Sequence, residues 1–307
     1  MKICWAGLGK MGLPMASHVQ SAGFEVHAYD ISAQAREAAE SVGLSVASDL
    51  ADAARDASVV FTMLPTGEHV RKVLLESGLE RLVGPDTVIV DSSTISPADA
   101  RAIAVEVERA GHSFLDAPVS GGTEGAADGT LTFMVGGAVE SFERVRPLLA
   151  TMGANHFHLG GTGCGQSAKV VNNMMLAMNM ASVSEAAVLA ARLGLDTQTF
   201  LDVARTSSGD SWVLRHFYPI KGAVPAAPVN QDFHPGFTAA LMRKDVGLAL
   251  DASDAHDVRV PMTRRVAELL DLLIAAGEGP LDFSALVKLA SGEIDSAPHR
   301  RTAAVAD

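Results

Sequence analysis

Three glycines, Gly7, Gly9 and Gly12, restrict what this chain can fold into more than any other feature of its sequence. They follow a short apolar run, Lys2–Ala6, and lead into residues of helical character as far as Ala22. In Gly7-Leu8-Gly9-Lys10-Met11-Gly12, so placed, the first glycine permits a tight turn and the second lets a pyrophosphate approach the backbone. The third lets helix pack closely on strand. The helix N-terminus then offers free N–H groups and the positive end of its dipole to the phosphates. A second strand, Glu25–Tyr29, ends at Asp30, 18 residues past Gly12. A carboxylate at that place accepts hydrogen bonds from a ribose hydroxyl pair and repels a 2′-phosphate. Together these residues predict a dinucleotide site formed by Gly7, Leu8, Gly9, Met11, Gly12 and Asp30, with NAD preferred over NADP. The nearest cation, Arg36, falls a turn or more into the following helix on this reading.

The rest of the first half alternates strand and helix, which predicts a parallel sheet with right-handed crossovers. Strands are expected at 59–63, Val88–Asp91 and Ser113–Asp116. Two more, at 131–135 and 155–159, flank a helix over 139–152 and extend the sheet. From Gln166 the pattern changes. Helical periodicity dominates 166–193, 197–206, 240–255 and 261–276, with no convincing strand, so the second half reads as all-helical. The fold class is therefore α/β, a doubly wound sheet followed by a helical domain. The expected division is 1–162, 163–295 and a mobile tail over 296–307 that contains Pro298, His299, Arg300 and Arg301. Four prolines between Tyr218 and Phe237 mark an irregular segment long enough to be a functional loop.

Composition removes several function classes. At 307 residues the chain can bury two cores, and 48% apolar residues exclude disorder. A net charge of −12 gives no electrostatic footprint for nucleic acid or an anionic membrane. The most apolar stretch, 174–195, is interrupted by Asn179, Ser182, Ser184, Glu185 and Arg192, so it reads as a buried helix and not as a membrane span. Two cysteines, Cys4 and Cys164, give no disulfide framework, and a strand that starts at Lys2 leaves no signal peptide. The expected location is the cytoplasm.

Candidate chemistry gathers at the carboxyl ends of the strands, the edge that lines the crevice in doubly wound folds. Met63, Leu64 and Pro65 end the third strand, and Asp91-Ser92-Ser93-Thr94 ends the fourth. Alone, the latter is an ordinary helix N-cap. Asp116-Ala117-Pro118-Val119-Ser120-Gly121-Gly122 ends the fifth, where a hydroxyl and exposed amides suit a carboxylate, although Ser-Gly-Gly is more often a plain turn. Four glycines over 160–165 then give way to a run without Gly or Pro from Gln166 to Arg192, as a flexible crossing feeding a long helix does. Lys169 and Asn173 project from one face of that helix, one turn apart, so an amine able to carry a proton lies beside a carboxamide.

These motifs resemble those of the β-hydroxyacid dehydrogenases, and the resemblance runs from Lys2 to about Gly292. It rests on the glycine fingerprint with Met11-Gly12, the block from Asp116 through Gly129-Thr130-Leu131 to Gly137, the segment from Gly163 to Asn173, and Lys244-Asp245. It implies a Rossmann-type domain joined by a long helix to a helical domain that forms a homodimer or homotetramer. It further implies that Lys169 is the catalytic acid/base and that Asn173 helps hold a small 3-hydroxy acid. Ser120, Gly121 and Gly122 would bind the substrate carboxylate. Met63, Leu64, Pro65, Thr94 and Asp245 would touch the cofactor, and Lys244 would serve both ligands and close the site from the second domain. Ser207-Ser208-Gly209-Asp210-Ser211-Trp212 and the proline loop narrow the likeness towards enzymes of 3-hydroxyisobutyrate and away from tartronate-semialdehyde reductases. Relatives that use NADP often carry Asn-Arg-Thr where this chain has Asp30-Ile31-Ser32.

Lys169 can serve as a base only if partly neutral. Burial lowers its unperturbed pKa of about 10.4, and so would a neighbouring Lys244 cation. Two rival readings use the same scaffold. One is a nucleotide-binding protein without chemistry and the other an imine reductase; Lys169 and Asn173 argue against the first, and Lys169 against the second. No metal site is expected. His156 and His158 share a strand face but have no acidic or cysteine partner nearby in sequence. Asp251, Asp254 and Asp257 read as a solvated helix face, and the methionines over 174–180 as core or subunit contact.

Overall fold

The structure, a computed structural model, describes residues 1–295. The tail expected over 296–307 lies outside the described residues. The chain forms two compact units, Met1–Asn172 and Asn173 onward.

In the first unit, β1 (Lys2–Ala6), α1 (Gly12–Ser21), β2 (Glu25–Tyr29), α2 (Ala33–Ser41), α3 (Leu50–Ala54), β3 (Val59–Thr62), α4 (Gly67–Arg71), β4 (Val88–Asp91), α5 (Pro97–Arg109) and β5 (Ser113–Asp116) follow in sequence. The five strands run parallel in the order β2-β1-β3-β4-β5. Alternate residues serve opposite faces. Ile3, Trp5, Val59, Phe61, Val88, Val90 and Leu115 join one core, and Cys4, Val60, Ile89 and Phe114 join another. A parallel sheet covered on both faces needs apolar residues on both, which is why the inner strands β1, β3 and β4 read as nearly continuous apolar runs.

The two further strands expected at 131–135 and 155–159 do extend the sheet, and here its direction changes. β6 (Val119–Ser120), α6 (Gly122–Asp128), β7 (Leu131–Gly137), α7 (Val139–Leu149) and β8 (Gly153–His158) complete the unit. β7 runs antiparallel to both β5 and β6, while β8 is parallel to β7. β6 runs the same way as β5, and the chain reverses through α6 before it enters β7.

α8 (Cys164–Arg192) starts in the first unit and ends in the second. Its burial follows one face. Ala177, Met180, Val183 and Ala187 enter the second unit's core, whereas Val171, Met175 and Leu189 are exposed. The burial expected over 174–195 falls on one side of the helix. By length and composition α8 could cross a membrane, with a third of its most apolar window buried. The second unit continues with α9 (Thr197–Arg205), α10 (Trp212–His216), α11 (Ala239–Ala255), α12 (Pro261–Leu273) and α13 (Val287–Ser291). It contains no strand among the described residues, only an isolated bridge between Thr238 and Asp282. Asp251, Asp254 and Asp257 are exposed.

Candidate active site

The glycine fingerprint does what its spacing requires. Gly7 adopts φ +104°, and a Cβ there would sit 2.3 Å from the Met63 carbonyl oxygen. A Cβ on Gly12 would lie 2.1 Å from the Gly7 carbonyl oxygen, so α1 packs onto the turn at a distance only glycine allows. Gly9 differs, because a Cβ there would meet nothing within 4 Å. Packing therefore does not explain this glycine. An exposed backbone left bare beside the start of a helix is the cradle a pyrophosphate needs. No side chain caps α1, whereas Ser32, Asp49, Thr66 and Ser96 cap the helices that follow.

Asp30 closes this loop from the end of β2. Its carboxylate accepts the Leu8 amide at 2.8 Å and the Ser32 amide at 2.8 Å. Arg36 stands closer than its place in the sequence suggested. Ser32 caps α2, so Arg36 occupies the first turn, and its Nη1 donates to the Asp30 main-chain carbonyl at 2.6 Å. Its guanidinium also lies 5.6 Å over the Tyr29 ring. The ribose end of the site thus holds a carboxylate with a cation behind it.

The other strand ends are stitched into one polar network. The Asp91 carboxylate accepts the Thr62 hydroxyl at 2.7 Å and the Ser93 amide at 3.1 Å. The Ser93 hydroxyl accepts the Leu64 amide at 2.8 Å, and the Ser92 hydroxyl donates to the Ala117 carbonyl at 2.7 Å. Asp91, Ser92 and Ser93 are fully buried. Of the group expected to meet a ligand, they hold the loops instead, while Thr94 and Leu64 are partly exposed and Pro65 is exposed. Ser96, and not this Asp-Ser-Ser-Thr run, caps α5. Burial pushes the Asp91 carboxyl up to about 6, against the hydrogen bonds from Ser93 and Thr62. Its Oδ2 finds no hydrogen-bond partner among the described residues.

Ser120 is half-buried at the end of β6, and Gly121 and Gly122 are exposed with φ of +135° and +64°. These are backbone conformations that side chains resist, and they turn the chain into α6. Lys169 lies in the second turn of α8 with only 9% of its surface exposed. Asn173 stands one turn along the same helix. Its Nδ2 donates to the buried Asp245 carboxylate at 2.6 Å. The Lys244 ammonium lies 3.1 Å from the other Asp245 oxygen. In the second unit one carboxylate therefore gathers the carboxamide and the cation that the resemblance singled out.

Gln166 carries no role of its own in the motif from Gly163 to Asn173, and Asp116 figures along the chain only as the start of its strand-ending run. Gln166 is fully buried in the first turn of α8, and Asp116 accepts the Gly163 and Gln166 amides at 2.7 and 2.8 Å. A polar side chain three residues before Lys169 was the available signal. His156 stacks on Phe133, and His158 Nε2 meets the Gly137 carbonyl oxygen at 2.8 Å. No group of three metal-ligating side chains occurs among the described residues.

Comparison with known proteins fits this architecture. Residues 2–160 match the NAD-binding domain of 6-phosphogluconate dehydrogenase, and residues 163–290 match the NAD-binding domain of NADP-dependent 3-hydroxyisobutyrate dehydrogenase. The NAD-dependent L-serine dehydrogenase of Pseudomonas aeruginosa is 42% identical over 289 residues, covering 94% of this chain and 97% of that protein. A probable 3-hydroxyisobutyrate dehydrogenase of Mycobacterium tuberculosis is 42% identical over 294 residues, covering 96% and 99%. The solved structure of M. tuberculosis 3-hydroxyisobutyrate dehydrogenase with L-serine superposes with a TM-score of 0.87 at 43% identity, covering 93% of this chain and 97% of that one. With a pyrophosphate cradle, a ribose acid and a helical second unit on the same plan, the chain belongs to the β-hydroxyacid dehydrogenase family and is an NAD-dependent dehydrogenase acting on a hydroxyl group.

Proposed function

We propose that this enzyme oxidises 3-hydroxyisobutyrate to methylmalonate semialdehyde, with Lys169 as general acid/base. The observation that carries the reading is Lys169 itself, a lysine buried to 9% exposure at the start of a helix anchored to the sheet's carboxyl edge. Lysine is rarely buried without a task, and a proton carrier is needed where a hydroxyl becomes a carbonyl. NAD, when bound, supplies the acceptor for the hydride that leaves the substrate carbon.

The chain's own groups do the rest. The Lys169 amine takes the hydroxyl proton, and its ammonium form returns a proton to the oxygen in the reverse direction. The Ser120 hydroxyl and the amides at Gly121 and Gly122 hold the substrate carboxylate on neutral donors. This anchors the acid without placing a second formal charge beside the amine. We assign substrate binding also to Asn173 and Lys244, whose side chains Asp245 holds. Thr94, Met63, Leu64 and Pro65 are assigned to the cofactor.

L-Serine is the second reading. It shares the 3-hydroxy acid frame, and two similar proteins carry serine in their descriptions. The choice between a methyl and an ammonium is set by pocket contacts worth about 1–3 kcal/mol. Initial rates of NAD reduction with 3-hydroxyisobutyrate, L-serine, 3-hydroxypropionate and glycerate decide it. The proposal stands if kcat/KM for 3-hydroxyisobutyrate exceeds the others by tenfold, and L-serine replaces it if the order inverts.

The same reading includes a homodimer or homotetramer. Val171, Met175 and Leu189 are more than half exposed and return to one stripe of α8. A second copy would cover that stripe, and light scattering on the eluting protein measures the mass that settles it.

A further inference from the structure

We propose that Gln166 and Asp116 are positioning residues for the proton transfer, locking the start of α8 to the loop after β4 and so fixing where the Lys169 amine can reach. The inference rests on the reading of Lys169 as the acid/base.

Gln166 uses both ends of its carboxamide on that one loop. Its Nε2 donates to the Ser93 carbonyl at 2.7 Å, and its Oε1 accepts the Ile95 amide at 3.2 Å. Between those two anchors lies Thr94, the residue assigned to the cofactor. On the other side the Gln166 amide and the Gly163 amide are held by the two oxygens of Asp116. A carboxylate from the end of a strand thus supplies the N-terminal partner that a helix otherwise finds in its own flanking residue.

The junction is built too tightly to slide. A Cβ on Gly165 would lie 2.3 Å from the Met134 carbonyl oxygen and 2.5 Å from that of Asp116. A Cβ on Gly136 would meet an Asp116 carboxylate oxygen at 2.6 Å, and one on Gly163 would meet Arg101 Nη1 at 2.6 Å. Gly165 and Gly136 therefore let β7, the Asp116 carboxylate and the first turn of α8 share one place, while Gly163 lets α5 approach the same turn. Lys169 follows Gln166 by three residues, so the two side chains lie on neighbouring paths of the same helix. A tilt at Gln166 moves the amine directly. Displacements of about 1 Å cost up to a hundredfold in rate when reacting groups must be aligned.

The test compares Gln166→Met, which keeps the side chain's length and removes both hydrogen bonds, with Lys169→Ala and the double variant. In Gln166→Met, kcat with the preferred hydroxy acid should fall about ten- to a hundredfold. KM and the NAD dissociation constant, read by fluorescence titration, should stay within about threefold. If Gln166 acts only through Lys169, the double variant will be no slower than Lys169→Ala alone. Losses that multiply overturn the proposal, and so does an unchanged kcat in Gln166→Met. A Lys169→Ala enzyme that keeps its rate sinks the acid/base reading instead, so the two failures are distinguishable. Gln166→Glu, which keeps the acceptor for Ile95 and loses the donor to Ser93, is read on the same scale should the Met variant not fold. Failure of both to fold assigns Gln166 to stability and overturns the proposal.

Discussion

Each unit buries a carboxylate beside a residue of α8, and the two carboxylates act on different things. Asp116, in the first unit, accepts main-chain amides, those of Gly163 and Gln166. Asp245, in the second, accepts a side-chain amide from Asn173 and faces the Lys244 ammonium. The first fixes a piece of backbone whatever side chains that backbone carries. The second fixes rotamers and leaves the helix alone. Their electrostatics differ accordingly. Burial raises the Asp116 carboxyl, offset by neutral amides, whereas Asp245 has a formal cation beside it.

The largest expected effect tests whether the first device serves chemistry at all. Lys169→Ala should lower kcat by about 10²–10⁴-fold, the range of a lost general acid–base, with NAD affinity retained. A variant that keeps a tenth of the rate would show that another group moves the proton, and the positioning of α8 would then have no catalytic purpose.

The next concerns Asp91, whose register partner on β5 is Asp116. Burial raises its carboxyl from 3.8 to about 6 in the folded protein. The folded value lies above the unfolded one, so its contribution to stability is complete below pH 3.8 and is lost as pH rises through about 6. That amounts to about 3 kcal/mol, which Asp91→Asn escapes. Denaturant unfolding at pH 4.5 and 7.5 should show the variant gaining on the parent by most of this amount. A pH-independent difference between the two would mean that Asp91 ionises normally in the fold.

A smaller effect probes the second device. Asp245→Asn keeps the shape and removes the charge that holds Lys244 and Asn173. Hydrogen bonds to charged groups contribute about 1.5–3 kcal/mol, so kcat/KM for the hydroxy acid should fall about tenfold or somewhat more. NAD affinity should fall less, because the glycine turn and Asp30 lie in the first unit. An equal loss in both would erase the contrast between the units.

The smallest is cofactor choice. Asp30→Ala removes the repulsion against a 2′-phosphate while leaving Arg36 at the same place, so the kcat/KM preference for NAD over NADP should narrow several-fold. An unaltered ratio would move the discrimination away from β2.

Much of the first unit was legible along the chain because its signals are local. A strand, three glycines and a helix need only neighbours in sequence, and the inner parallel strands β1, β3 and β4 announce themselves as nearly continuous apolar runs. The reversal at β7 was not legible. It depends on the two-residue β6 and the short α6 that carries the chain back, and elements that short have no periodicity to read. Lys169, Asn173, Ser120, Lys244 and Asp245 could be singled out because they sit in recurring motifs. Gln166 could not, since a glutamine in a helix is ordinary until the Ser93 and Ile95 backbone is brought to it from more than 70 residues away.

By itself, then, the sequence determined most of the elements, the glycine turn after β1, the acid that ends β2 and the helix that carries Lys169 and Asn173, since each follows from spacing within a turn or two. Only the tertiary structure decided which polar residues are buried and what holds them. Asp91 and Asp116 look alike as strand-ending acids, yet one keeps an oxygen without a partner among the described residues and the other has both oxygens bound to the start of α8. Desolvation and hydrogen-bond satisfaction depend on distances across the fold, and no spacing along the chain encodes them.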